Sequence, residues 1–271
     1  MLSKLKSKKF YIPAVAIIVI LIIVFSAYHF HNRDNCSTVA VIPITGYLYA
    51  SPQYLDDGSI DKSDVVSTDI VAQIRKANED KRVKAIVFEI DSGGGEVFTA
   101  EEITSAIKEV KKPTVALIRS EGVSSAYWIA SATGRIFALP TSQTTDIGVT
   151  NSYTDNSIQN TDNGITFHQI SYGKYKDMYN QDKAMTPDEE KKAMAQTTED
   201  AQIFIQEVAE NRHLPIEKIQ ALADGSVIIG QDAIKDGLID QLGSFADVDA
   251  YLSKTLKRNV EICIPSEGVE K

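Results

Sequence analysis

Between residues 83 and 139 the chain alternates short, β-branched apolar runs with stretches of helical spacing, and this alternation restricts the fold more than any other feature. Residues 83–90 (VKAIVFEI), 114–118 (TVALI) and 135–139 (RIFAL) have the composition of buried strands. Residues 69–77 and 99–110 carry helical spacing, and Thr99 with Glu102 reads as a capping box. Residues 124–132 suit another helix. Strands separated by helices imply an α/β domain with a parallel sheet, in which right-handed crossovers gather the strand-to-helix turns on one edge.

Outside that block the signals continue. Residues 39–44 (VAVIPI) predict a strand, with Pro43 placing it at a sheet edge. Residues 165–172 read as a further strand. Thr186-Pro187-Asp188-Glu189 combines an N-cap, a first-turn proline and a capping-box glutamate, predicting a helix to about residue 211. Shorter helices follow from Pro215 towards Gly225, at 231–235 and at 245–252.

Residues 10–28 form an uncharged apolar run, which as a helix reaches about 28 Å, close to the thickness of a bilayer core. Lys4, Lys6, Lys8 and Lys9 precede it, so the positive-inside rule places the amino terminus in the cytoplasm and the remainder outside the cell membrane. The small-x-small site of a cleaved leader is poorly matched by Ser26-Ala27-Tyr28. The expected organisation is a basic tail and anchor over residues 1–33 and one extracytoplasmic domain over 34–271. A net charge of −9 argues against nucleic acid as a partner. The two cysteines, Cys36 and Cys263, form no C-x-x-C pair, so neither a metal nor a dithiol redox site is expected.

Two glycine-bearing turns could carry chemistry. Asp91-Ser92-Gly93-Gly94-Gly95 falls between a predicted strand and helix, where exposed N–H groups can stabilise an oxyanion or simply make a tight turn. It lacks the spacing of a nucleotide-binding loop. Gly122-Val123-Ser124-Ser125 ends the next strand, so Ser124 is either an exposed nucleophile or an N-cap. A histidine base is poorly supported: His29 and His31 adjoin the anchor, His213 follows the long helix, and His168 sits in the predicted 165–172 strand. Lysine remains, at Lys174 or Lys176. Neutralising a solvated lysine near pH 7.5 costs about 4 kcal/mol, so such a base must be desolvated.

The pieces VKAIVFEIDSGGGEV, GVSSAYWIA, ALPTSQTTDIGV, SYGKYKDM and GQDAIKDGLIDQLG, in this order, resemble the signal peptide peptidase A (protease IV) family over residues 83–243. The resemblance implies a crotonase-like, Clp-protease-like βαβ superhelical domain and a membrane-bound ring in which neighbouring subunits can complete a site. It implies a Ser-Lys dyad of Ser124 and Lys176. It implies an oxyanion hole at Gly94, with the Ser125 amide as second candidate, and no metal or cofactor. Peptide substrates within or near the membrane, including signal peptides, are expected. The chain departs from the family pattern at Asp91, Gly93, Ser125, Ala126 and Asp146. The last stands where the family has a serine that orients the lysine, so its carboxylate is expected to raise the lysine's pKa. An inactive, membrane-anchored peptide-binding scaffold is the main alternative, and an acyl-CoA enzyme on the shared fold a remoter one.

Overall fold

The computed structural model describes residues 17–22, 38–59, 61 and 64–262. The first strand, β1 (Val39–Tyr49), is followed by the two-residue β2 (Val65–Val66) and helix α1 (Ser67–Glu79). Next come β3 (Ala85–Gly95), α2 (Val97–Lys108), β4 (Thr114–Val123), α3 (Ser125–Ser131), β5 (Ile136–Ala138) and β6 (Gln143–Thr145). The C-terminal part holds α4 (Ser157–Asp162), α5 (Pro187–Arg212), α6 (Ile216–Leu222), β7 (Val227–Ile229), α7 (Gly230–Asp236), β8 (Gln241–Leu242) and α8 (Phe245–Leu256).

The main sheet runs β2-β1-β3-β4-β5-β8, every neighbouring pair parallel. Parallel sheets are covered on both faces, and the two-residue side-chain period divides these strands accordingly. Ile86, Phe88, Ile90, Ala116, Ile118, Ile136 and Ala138 enter the core shared with α1, α2, α3 and α5. Ala85, Val87, Val115, Leu117 and Phe137 enter the opposite core with Val248 and Leu252 of α8. The α/β class expected from the alternation is thus present, with one antiparallel exception, β6 against β7.

Pro43 lies on β1 where β3 is its strand neighbour on one side, since β2 pairs only at Leu48 and Tyr49. The edge position inferred for this proline holds. Three local expectations are corrected. The glycine cluster is not a strand-to-helix turn: β3 stays extended through Gly95, with register shifts beyond Ile90. Pairing of Tyr47 with Gly94 and Leu48 with Gly95 carries the strand onward, and a Cβ on Gly95 would lie 2.3 Å from the Leu48 carbonyl oxygen. Thr99 caps nothing; it lies inside α2 and donates to the Glu96 carbonyl, while Glu102 accepts from Ser67 Oγ at 2.5 Å. Residues 165–172 form no strand and are exposed, because among the described residues no strand pairs with them.

Residues 17–22 of the apolar run are helical; the rest of residues 10–28, with both cysteines, His29 and His31, lies outside the described residues. Among the described residues no helix is long and apolar enough to cross a membrane.

Candidate active site

The site forms because β4 changes partners along its length. Residues Ala116–Ile118 pair with β5, whereas Glu121–Val123 pair with β6. Ser142 stabilises the divergence by donating from Oγ to the carbonyls of Ile118 and Arg119. The carboxyl ends of β3, β4 and β6 therefore converge, which is where α/β sheets collect ligands.

Ser124 stands at this point, between β4 and α3. Its backbone has φ 53 and ψ −128, a conformation that costs a side-chain-bearing residue on the order of 1–3 kcal/mol. Its N–H donates to the Thr145 carbonyl at 2.7 Å, fixing it against β6. The residue occupies the N-cap position, yet its side chain makes no capping bond. Ser124 Oγ has no hydrogen-bond partner among the described residues. A tightly held backbone carrying a free hydroxyl is the geometry of a presented nucleophile rather than of a cap.

Gly94 packs against it. Its φ is 94, and a Cβ there would lie 2.8 Å from Ser124 Cβ, so position and conformation both require glycine. The Gly94 N–H donates to Ser92 Oγ at 3.1 Å, and Ser92 Oγ donates to the Gly46 carbonyl at 2.6 Å. By contrast, the Ser125 N–H, the first of α3, has no acceptor among the described residues. Ser125 Oγ donates to the Gly95 carbonyl at 2.9 Å and ties the helix start to β3.

Ser124 opens into a cavity of about 610 Å³, a size typical of ligand sites. Val97, Trp128, Val149 and Phe204 give it apolar walls; the Trp128 and Phe204 rings stack at 4.9 Å. Nearby, Val97 and Trp128 line the cavity, Tyr127 is core, and Phe98 is exposed. Asp146 and Asp224 add carboxylates to the wall. Asp146 has φ 51 and its N–H donates to the Ser226 carbonyl at 3.2 Å. Its carboxylate makes no hydrogen bond or ion pair among the described residues, and partial burial pushes its pKa up. Asp224 accepts the Ser226 N–H at 2.9 Å, and hydrogen bonding from Ser226 lowers its pKa.

The two lysines lie elsewhere in the chain. Lys174 pairs with Asp188 at the start of α5, and that bond pushes its pKa up to about 12, the wrong direction for a base. Lys176 is exposed on the segment between α4 and α5, and the cavity beside Ser124 is lined without it.

Residues 106–260, more than half of the chain and including both Ser124 and Lys176, match peptidase family S49. The chain belongs to that family, the family of signal peptide peptidase A. It is 29% identical over 190 residues to the putative signal peptide peptidase SppA of Enterococcus faecium, covering 69% of this chain and 55% of that protein. It is 31% identical over 229 residues to Protease 4 of Salmonella typhi, covering 83% of this chain and 35% of that protein. The chloroplastic serine protease SPPA of Arabidopsis thaliana is 28% identical over 187 residues, 68% of this chain and 28% of its own. The chain spans about half, or less, of the length of these relatives.

Within this S49 chain the sequence pointed at Ser124, Gly94, Ser125 and Asp146, and the fold brings these four together. Lys176 is exposed and is not among the residues lining the Ser124 cavity. Three contributors carried no signal of their own. Thr145 holds the Ser124 N–H from a backbone at φ 78, which no β-branched residue advertises. Ser92 engages the Gly94 amide from within a strand. Asp224 reaches the cavity through the β6–β7 pairing, invisible without the fold.

Proposed function

We propose that this S49 family member is a membrane-anchored serine endopeptidase, with Ser124 as nucleophile and Lys176 of a second copy as general base. The observation that carries the reading is Ser124 itself: backbone strained and pinned, hydroxyl free, opening into a cavity at the convergent ends of parallel strands. Lys176 is exposed in the single chain. A solvated ammonium cannot take the serine proton, so a base at this position has to be desolvated by a neighbour. The segment bearing it supports this, since Ile170 and Tyr172 are fully exposed apolar side chains. The ring expected from the resemblance, in which adjacent copies meet, is proposed to provide that neighbour.

In the reaction, neutral Lys176 accepts the Ser124 hydroxyl proton while Oγ attacks the peptide carbonyl carbon. The oxyanion is met by the open Ser125 N–H, with Gly94 N–H joining if it leaves Ser92 Oγ. Collapse breaks the C–N bond, and the departing amine takes the proton from Lys176. A water, deprotonated by the same lysine, then cleaves the ester and frees Ser124.

Residues 10–28, preceded by four lysines, support a single membrane anchor with the domain outside, and hence signal peptides or other membrane-associated peptides as substrates. A peptide-binding scaffold without catalysis is the second reading, favoured by the unpaired carboxylate of Asp146 where a serine is expected. A fluorophosphonate probe separates the two. The full-length protein in detergent is expected to be labelled, with labelling lost in Ser124→Ala and in Lys176→Ala. Equal labelling of Ser124→Ala and wild type overturns the peptidase reading.

A further inference from the structure

The Ser124 cavity is amphipathic in a particular way. Its walls at Val97, Trp128, Val149 and Phe204 are apolar, whereas Asp146 and Asp224 supply negative charge, and among the described residues no lysine or arginine lines it. Asp224 is held ionised by its bonds from Ser226. Asp146 is different. Its carboxylate is partly buried, lacks any donor among the described residues, and faces the turn that follows Asp224, with Oδ1 3.9 Å from where a Gly225 Cβ would stand. A partly buried carboxylate without a partner costs stability until a cation or proton arrives.

The backbone that carries this carboxylate is also held relative to Ser124. The carbonyl that accepts the Ser124 N–H belongs to Thr145, the residue before Asp146, and the Asp146 N–H is bonded to Ser226. Both ends of that backbone link are thereby held in place beside Ser124. We propose that Asp146, assisted by Asp224, makes this site select substrates that place a lysine or arginine side chain in the Ser124 cavity. The inference rests on Ser124 being the nucleophile. A basic side chain satisfies both halves of the cavity: its aliphatic stem lies along the apolar walls and its cationic head meets the carboxylates. An apolar side chain fills the walls but desolvates Asp146 further without pairing it. An acidic side chain meets like charge.

The test uses the full-length protein in detergent and three matched peptides with lysine, norleucine or glutamate at the residue donating the scissile carbonyl. The set is repeated at each of the two preceding residues. At one of these positions wild type is expected to favour lysine over norleucine by about tenfold or more in kcat/KM, with glutamate poorest. That preference should shrink as salt is raised. In Asp146→Asn, where asparagine tolerates the left-handed backbone, the lysine-to-norleucine ratio is expected to fall about tenfold. A ratio, unlike a rate, is unaffected by any change Asp146 makes to the lysine base. If Asp146→Asn alters all three peptides by one common factor, or if wild type shows no lysine preference at any position, the selectivity assignment is overturned and the peptidase reading stands. If wild type cleaves none of the peptides, both are overturned.

Discussion

Asp146 lines the Ser124 cavity, and its chemistry is left to be measured. The sequence put a carboxylate where the resemblance implies a serine, and that side chain is partly buried and without a partner among the described residues. A carboxylate near an entering lysine favours the charged ammonium, which is the unreactive form. Replacing it with serine removes that bias, lowers the pKa of the base and lets it shed its proton at lower pH. On an uncharged peptide, Asp146→Ser is therefore expected to move the rising limb of the kcat/KM profile to lower pH. An unmoved limb would show that Asp146 does not meet the base. Ser124 and Gly94 were legible because glycines near strand ends are visible in composition, even though Gly94 lies within β3 rather than in a turn. Thr145 and Ser92 were not, because their contribution is a carbonyl and a hydroxyl positioned by backbone angles. Threonine is among the last residues that composition would assign to φ 78.

At the scale of elements, α5 was the most legible because its start is written locally. Thr186 and Glu189 exchange both capping-box bonds as the tetrapeptide implied. Glu189 also accepts from Lys183 at 2.7 Å and 2.8 Å. The hydrogen bond from Lys183, followed by those from Thr186, holds its pKa at about 2, against an ordinary value of 4.5. A carboxyl depressed in this way contributes stability that is complete above its unfolded pKa and is lost as pH falls through the folded value. Thermal melts of Glu189→Gln are expected to lie below wild type at pH 7 and to converge with it between about pH 4.5 and pH 2. A gap independent of pH would refute the assignment. The 165–172 segment failed for the opposite reason. Ile165, Phe167, Ile170 and Tyr172 have the makings of a strand, but strand formation needs a neighbouring strand, and among the described residues none pairs with them. Local pattern likewise ended β3 too early, because glycine reads as a turn even where close approach to Leu48 is its reason.

At the scale of the molecule, the fold class followed from alternation because parallel strands demand crossovers and cover on both faces. What joins the C-terminal elements to the sheet was not legible, since it depends on residues far apart in sequence. Arg212, at the end of α5 with its side chain 7% exposed, pairs with Asp240 and donates to the Gly237 carbonyl; Asp240 in turn accepts the Ile136 N–H of β5 at 2.7 Å. Removing the arginine strands a partly covered carboxylate. Arg212→Ala is expected to lower unfolding stability by about 3 kcal/mol in denaturant titration, the lower end for a broken buried pair, because Asp240 keeps some contact with water. A loss under about 1 kcal/mol would show the pair to be ornamental. Assembly lies beyond anything a single chain's pattern records, yet the proposed reaction depends on it: the serine proposed as nucleophile opens into a cavity that its own chain's Lys176 does not line. Mixing Ser124→Ala with Lys176→Ala, each inert alone, and assaying peptide hydrolysis after subunit exchange puts this to the test. Recovered hydrolysis, from mixed sites that pair an intact serine with an intact lysine, is the expected result. A mixture that forms hybrid assemblies and stays inert, beside an active wild type, would contradict it.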